Sequence, residues 1–189
     1  MKVAIADYNQ EYLDVAQQTF SKELDAQTVT THKIDVSKPF QWSQLQDNIS
    51  KLYGGPPDFL MLNAGIGAKG SWGDGKYYDE ILQTNLMGVV YGLNVFVPAM
   101  QEANKEGSTI VITGSKQGIT NPPGNAAYNA SKAAVKALAE HLSYDLKDTN
   151  VGVHLLVPGW TFQKKFILLD FKARLCWPSI VHIFDNQTT

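Results

Sequence analysis

Three side chains near the middle of the chain could carry proton chemistry together: Ser115, Tyr128 and Lys132, within the run Ile110 to Lys136. Tyr128 and Lys132 lie four residues apart in an alanine-rich segment, so on a helix the phenol and the ammonium project from one face. Ser115 follows a β-branched run, Ile110 to Thr113, and a turn-rich loop through Asn121, Pro122, Pro123 and Gly124 can bring it to the same point. Free tyrosine titrates near ~10 and exchanges protons poorly at neutral pH. A nearby cation favours the phenolate, so Lys132 is expected to draw Tyr128 toward the working range. Ser115 would then donate a hydrogen bond to a substrate oxygen while Tyr128 moves the proton. Interconversion of an alcohol and a carbonyl needs that arrangement, with a hydride carrier opposite. The tyrosine–lysine spacing alone recurs by chance and would describe an ordinary helical pair. A serine joining them where a strand stops and a helix starts points to chemistry.

The elements that must position these groups alternate along the chain. Val3 to Ala6 reads as a buried strand ending at Asp7, and Tyr12, Ala16, Phe20 and Leu24 then repeat at helical spacing. Val29 to Ile34 is a second strand, closing on Asp35 and Val36. Ser37 and Pro39 open a helix carrying Trp42, Leu45, Ile49 and Leu52 on one side. A turn at Gly54 to Pro57 precedes a third strand, Asp58 to Leu62, and a glycine-rich loop runs to about Lys76. A long helix is predicted from Tyr77 to Gln101, with a kink at Pro98. The fourth strand and the reactive helix follow, and Val151 to Val157 makes a fifth strand ending in Pro158 and Gly159. Strand–helix alternation of this kind predicts a doubly wound, Rossmann-like parallel sheet with helices on both faces.

At 189 residues the chain is long enough for one domain with a real core. Apolar content of 44% and charged content of 18% exclude a disordered chain, and a net charge of −2 gives no pull toward nucleic acid or anionic membrane. A single cysteine, Cys176, cannot form an internal disulfide and fits a reducing compartment. Val3 to Ala6 is too short for a signal peptide, and no apolar run approaches the ~20 residues that span a bilayer. A soluble cytoplasmic protein is expected. His32, His141, His154 and His182 are scattered without ligand spacing, so no metal site is predicted.

Taken together, these motifs resemble the short-chain dehydrogenase/reductase family from about Val3 to Thr161. The most specific parts are Ser115, Tyr128 and Lys132 together with Asn63, Ala64 and Gly65 directly after the third strand. Asn85, in T-N-L-M-G, matches the family's fourth catalytic position. The resemblance implies that Tyr128 is the acid/base, that Ser115 orients the substrate oxygen, and that Lys132 also holds the nicotinamide ribose. Asn85 would support a proton-relay water. It further implies that Asp7 receives the adenosine ribose hydroxyls, that Asp35 and Val36 meet the adenine, and that Pro158, Gly159 and Thr161 lie beside the nicotinamide. No arginine follows Asp7 at Tyr8 or Asn9, which favours NAD over NADP. A small-molecule alcohol or carbonyl substrate is implied, as is a homodimer through the helices at Tyr77–Gln101 and Ala126–Lys147.

The resemblance also has gaps. The family opens with a strand and a glycine-rich turn that leads into a helix, cradling the cofactor pyrophosphate. Here the chain starts at what matches the family's second strand, so the usual first βα unit is expected to be missing. Gly65, Gly67 and Gly70 spell G-x-G-x-x-G, but the following S-W-G-D-G reads as turn material that opens no helix. The missing strand is central in the family's sheet, so the strands at Val3 and Val29 are expected to lack a neighbour joining them to the rest, unless the chain rebuilds its sheet some other way. Residues 1–161 therefore read as a truncated dinucleotide-binding and catalytic domain, and 162–189 as an atypical tail with a helix and an edge strand at Ile180 to Phe184. Lys164, Lys165, Lys172 and Arg174 among Phe166, Leu169 and Phe171 fit a helix packed on its own domain better than one lying on a membrane. Two further functions stay open: an inert truncated product associating with a full-length partner, and an NAD-using epimerase or dehydratase with the same tyrosine–lysine pair.

Overall fold

Strand β1 (Lys2–Asp7) is buried on both faces, and its alternation assigns the two helical layers. Val3 and Ile5 pack with Leu13 and Ala16 of helix α1 (Gln10–Glu23) and with Val29 of strand β2 (Val29–Lys33). Ala4 and Ala6 point the other way, into a core that includes Trp42, Leu45 and Ile49 of α2 (Pro39–Tyr53). That core continues through Leu60 and Leu62 of β3 (Phe59–Leu62) and Ile110 and Ile112 of β4 (Thr109–Thr113). Phe96 and Met100 of α4 (Gly88–Ala103) and Val135 and Ala139 of α6 (Ala126–Asp145) cover it. Helices on both faces follow from a period-two strand with apolar residues in every position. The computed structural model describes residues 2–23, 28–67, 69–159 and 181–185. Leu24, Thr161 and the basic tail segment at 164–174 lie outside the described residues.

Local signals account for most boundaries. Pro39 sits in the first turn of α2, and Gly54 ends that helix in the left-handed conformation at φ 85°. The long helix expected from Tyr77 to Gln101 is divided. Helix α3 (Gly75–Leu82) is capped by Asp74, whose side chain accepts from the Tyr77 amide at 3.0 Å, so the S-W-G-D-G turn does open a helix. A π-helical turn, Gln83–Met87, follows before α4 resumes at Gly88. The helix runs through Pro98 to Ala103. By length and composition Gly75–Ala103 would suffice to cross a bilayer, contrary to the sequence expectation. One side of it packs on the domain, with Val89, Gly92, Phe96 and Met100 buried.

A short helix, α5 (Gln117–Thr120), replaces part of the loop predicted after Ser115. It packs so closely on α6 that a Cβ at Gly118 would stand 2.6 Å from the Lys132 carbonyl carbon. Only glycine permits that approach, which ties the segment carrying Ser115 to the helix carrying Tyr128.

The sheet order is β2-β1-β6-β3-β4-β5, where β5 is Gly152–Leu156 and β6 is Val181–Asp185. β1 pairs in parallel with β2, and β4 in parallel with both β3 and β5. β6 is antiparallel to both neighbours, placing Ile183 opposite Ala4 of β1 and Leu60 of β3. Two expectations are overturned here. The tail strand is central rather than at the edge, and it joins the halves of the sheet expected to lack a connection. The physical reason is the number of ladders: an edge position satisfies one side of a strand, whereas the slot between β1 and β3 satisfies both sides and two facing edges besides.

Candidate active site

Each parallel strand delivers sequence-predicted residues at its carboxyl end, on one edge of the sheet. Asp7 ends β1, Asp35 and Val36 follow β2, Asn63 follows β3, Ser115 follows β4, and Pro158 follows β5. In open α/β sheets this edge is where ligands bind. Because β6 runs the other way, it presents its amino end here, with Val181 opposite Ala6.

The centre of the arrangement is Lys132. Its side chain is buried at 4% exposure, and Nζ donates to the Thr113 carbonyl at 2.7 Å. Nζ also stands 6.0 Å from the Tyr128 ring centroid, so the phenol and the ammonium share one helix face. Thr113 is the last residue of the strand leading to Ser115, whose Oγ accepts from the Gln117 amide at 3.2 Å. The Gly114 amide donates to Leu156 O at 2.8 Å and the Lys116 amide to Pro158 O at 3.0 Å, fixing the Ser115 turn beside Pro158.

Burial lowers the Lys132 pKa to about 8 from its usual value near 10.5. The ammonium is therefore cationic at neutral pH and loses its proton within reach of mild alkali. Between pH 8 and 10.5 the unfolded chain holds a proton that the folded one has released, so stability rises with pH across that window; below it the full penalty applies. Lys132→Met removes this dependence. Urea titrations at the two ends of the window should show a rise of about 3 kcal/mol in the parent relative to the variant. Parallel pH dependence in the two proteins would show that Lys132 is not so perturbed.

Asn85 lies in the π turn and is fully buried. Its Oδ1 accepts from the Ile66 amide at 2.7 Å, and Nδ2 donates to Ile66 O at 2.9 Å and to Ser131 Oγ at 3.3 Å. Ser131 Oγ in turn donates to the Tyr128 carbonyl at 2.7 Å. A ladder of polar contacts thus runs from the loop after β3 to the first turns of α6. Gly65 sits against its middle: a Cβ there would lie 3.4 Å from Asn85 Oδ1 and 3.5 Å from Lys132 Nζ. Asn63 Oδ1 accepts from Thr113 Oγ1 at 2.8 Å, closing the group. Sequence reasoning missed Thr113, Ile66 and Ser131. The first two act partly through backbone atoms, which leave no trace in residue type; Ser131, between Tyr128 and Lys132, was visible but reads as an ordinary helical serine.

The second group lies on the far side of β6. Asp7 is buried, with Oδ1 accepting from the Asn9 amide at 2.7 Å while Oδ2 has no hydrogen-bond partner among the described residues. Burial pushes its carboxyl up, against the smaller opposing effect of the Asn9 and Tyr8 amides. Asp35 is occupied locally: Oδ1 accepts from the Ser37 amide at 2.9 Å and from Ser37 Oγ at 2.7 Å, forming the turn into α2. Val36 joins Leu62, Ala64, Thr84 and Gly88 around a small pocket. An orphaned buried carboxylate oxygen suits a ribose hydroxyl, and a lysine ammonium bound to one carbonyl has donors left for another. The residues present therefore fit both ends of a nicotinamide dinucleotide. A glycine-rich turn leading directly from strand to helix, which would hold the pyrophosphate, is not among the described residues. Gly65, Gly67 and Gly70 do not supply it: Gly70 abuts the Tyr77 ring, 2.2 Å from where its Cβ would be, and the next helix starts only at Gly75.

The family model for short chain dehydrogenases matches residues 1–164. The chain belongs to the short-chain dehydrogenase family. Among curated relatives it is similar to the oxidoreductase asL5 of Sarocladium schorii, 35% identical over 56% of this chain and 42% of that one. It is also similar to the NADP-dependent (R)-specific alcohol dehydrogenase of Lentilactobacillus kefiri, 32% identical over 67% of this chain and 51% of that one. A short-chain dehydrogenase from Burkholderia phymatum, solved in complex with NAD, is 34% identical and superposes with a TM-score of 0.79 over 85% of this chain and 57% of its own. The chain spans about half the length of the curated relatives it matches. The Rossmann-like fold and the oxidoreductase family are thereby established; one of these relatives is NADP-dependent, and one of these structures was solved in complex with NAD.

Proposed function

We propose that the chain interconverts an alcohol and a carbonyl compound, with NAD as cofactor, Tyr128 as acid/base, and Ser115 as hydrogen-bond donor to the substrate oxygen. The observation that carries this reading is the position of Lys132, buried, bonded to the strand end that leads to Ser115 and facing the Tyr128 ring. The nicotinamide, when bound, supplies or accepts the hydride. In the oxidising direction the Tyr128 phenolate, faced by the Lys132 ammonium, takes the proton from the alcohol oxygen and becomes the phenol. In the reducing direction the same hydroxyl returns it. Asn85 acts by positioning: its amide holds Ile66 and Ser131, and Ser131 holds the Tyr128 backbone. A relay water beside Asn85 belongs to the same reading.

NAD is preferred because Asp7 would repel a 2′-phosphate, and Tyr8 and Asn9 offer no cation to receive one. Asp35, Val36, Asn63, Ala64, Gly65, Pro158, Gly159 and Thr161 complete the proposed contacts. A homodimer through α4 and α6 fits α4, which is apolar nearly all round although one side of it is buried. An inert chain paired with a full-length partner is the alternative. Titration of the purified protein with NADH and with NADPH, read by nicotinamide fluorescence, decides between them. Saturable enhancement at micromolar NADH, weaker with NADPH, is the expected result; no enhancement with either would end the enzymatic reading.

A further inference from the structure

Beside the proposed acid/base lies an aromatic cluster that the mechanism does not use. Tyr77, Ile81 and Ala127 form a small buried core of their own, and Ile66, Tyr78 and Tyr128 pack against it. Tyr78 meets Tyr77 edge-on, with centroids 5.0 Å apart, and Trp72 stacks on Tyr78 at 5.3 Å with an interplanar angle of 29°. Trp72 is nevertheless 83% exposed, the most open of the large apolar side chains among the described residues. Its loop is held in place locally. Gly70 fits only because it lacks a Cβ against Tyr77, Gly73 takes φ +96°, and Asp74 caps α3. The loop thus presents an indole whose surface is largely in water. The Tyr77 hydroxyl is a second unexplained feature, being buried with no partner among the described residues.

We propose that Trp72 and Tyr78 form an aryl-binding platform for the site of Tyr128, so that the chain acts on alcohols and ketones carrying an aromatic ring. This rests on the oxidoreductase reading above and adds the substrate class to it. An aromatic group stacks on an exposed indole with a preference that a saturated ring of the same size does not share. A shared packing cluster joins the platform to the reacting tyrosine.

The test compares 1-phenylethanol with 1-cyclohexylethanol, which differ only in ring saturation. The parent should favour the aryl alcohol in kcat/KM by about fivefold, the worth of one aromatic pair, mainly through KM. Trp72→Ala should bring the ratio close to one, and Trp72→Phe should keep most of it. A role confined to stability would lower both rates together and leave the ratio alone. Turnover of both alcohols with the same ratio in parent and Trp72→Ala would overturn the platform while leaving the oxidoreductase reading intact. Trp72 emission, taken as the difference between the parent and Trp72→Phe, gives a readout independent of turnover. Saturable quenching by acetophenone, without the same response to cyclohexyl methyl ketone, supports the platform even if no alcohol is oxidised. Emission that changes with protein concentration and not with acetophenone would assign the stack to self-association and sink the proposal.

Discussion

Tyr128→Phe is expected to lower kcat by about 10²–10⁴-fold, the usual contribution of a positioned acid/base, with NADH affinity essentially that of the parent. The two effects separate because of what the substitution leaves in place. The Tyr128 ring packs against Tyr77, Ile81 and Ala127, and phenylalanine fills the same space. Ser131 bonds the Tyr128 carbonyl, a backbone atom that the change does not touch, and Lys132 keeps its bond to Thr113. Only the hydroxyl is removed. Steady-state rates beside NADH titrations on the same preparation read both consequences, because loss of a group acting in the transition state lowers kcat without loosening the ground state. A variant that oxidises alcohol at the parent rate would remove Tyr128 from the mechanism. Loss of rate together with loss of NADH binding would recast it as a cofactor contact. Lys132→Met should behave differently, losing turnover and cofactor affinity together, since its ammonium is shared between the phenol and the proposed ribose.

Why the fold was so readable in the sequence, and parts of the site were not, comes down to which atoms carry the information. Strands buried on both faces announce themselves as apolar runs, and Pro39 and Gly54 mark helix ends by backbone restrictions that residue type alone imposes. Tyr128 and Lys132 were legible because helical periodicity converts a spacing of four into a shared face. The π turn was not, since widening the helix by one residue per turn around Asn85 alters hydrogen bonding without altering composition. Nor could spacing reveal that the Asn85 amide clasps both backbone groups of Ile66, because that pairing depends on how the loop after β3 crosses the helix. The short helix at Gln117–Thr120 escaped for a related reason: Gly118 reads as a loop glycine, and its purpose is set by the α6 backbone it touches. Long-range placement is what one-dimensional patterns omit, and the tail strand shows this most plainly.

Ile183→Pro is therefore the substitution with the largest expected effect on stability. Ile183 is the midpoint of β6 and faces Ala4 on one side and Leu60 on the other. Proline at a central strand position removes a ladder donor and forces the chain away from its neighbours, so that the pairing on both sides fails. Val3, Ala4, Ile5 and Ala6 are at most 5% exposed, and Leu60 is fully buried, so their freed backbone groups have no ready access to water. Each unsatisfied buried group costs about 1–3 kcal/mol, and several together approach the roughly 5–15 kcal/mol that holds a domain folded. Loss of the cooperative unfolding transition is the expected outcome, whereas Ile183→Val, which keeps the backbone donor, should retain it. Hydrogen exchange locates the effect: amides of Val3 to Ala6 should be among the slowest in the parent and fast in the proline variant. A proline variant that melts with the parent's midpoint, with those amides still protected, would show that β6 does not join the two halves of the sheet. The consequence reaches the site as well. Asp7 and Lys132 lie on strands and helices from opposite sides of β6, so the spacing between the two proposed ends of the cofactor depends on this strand staying in its slot.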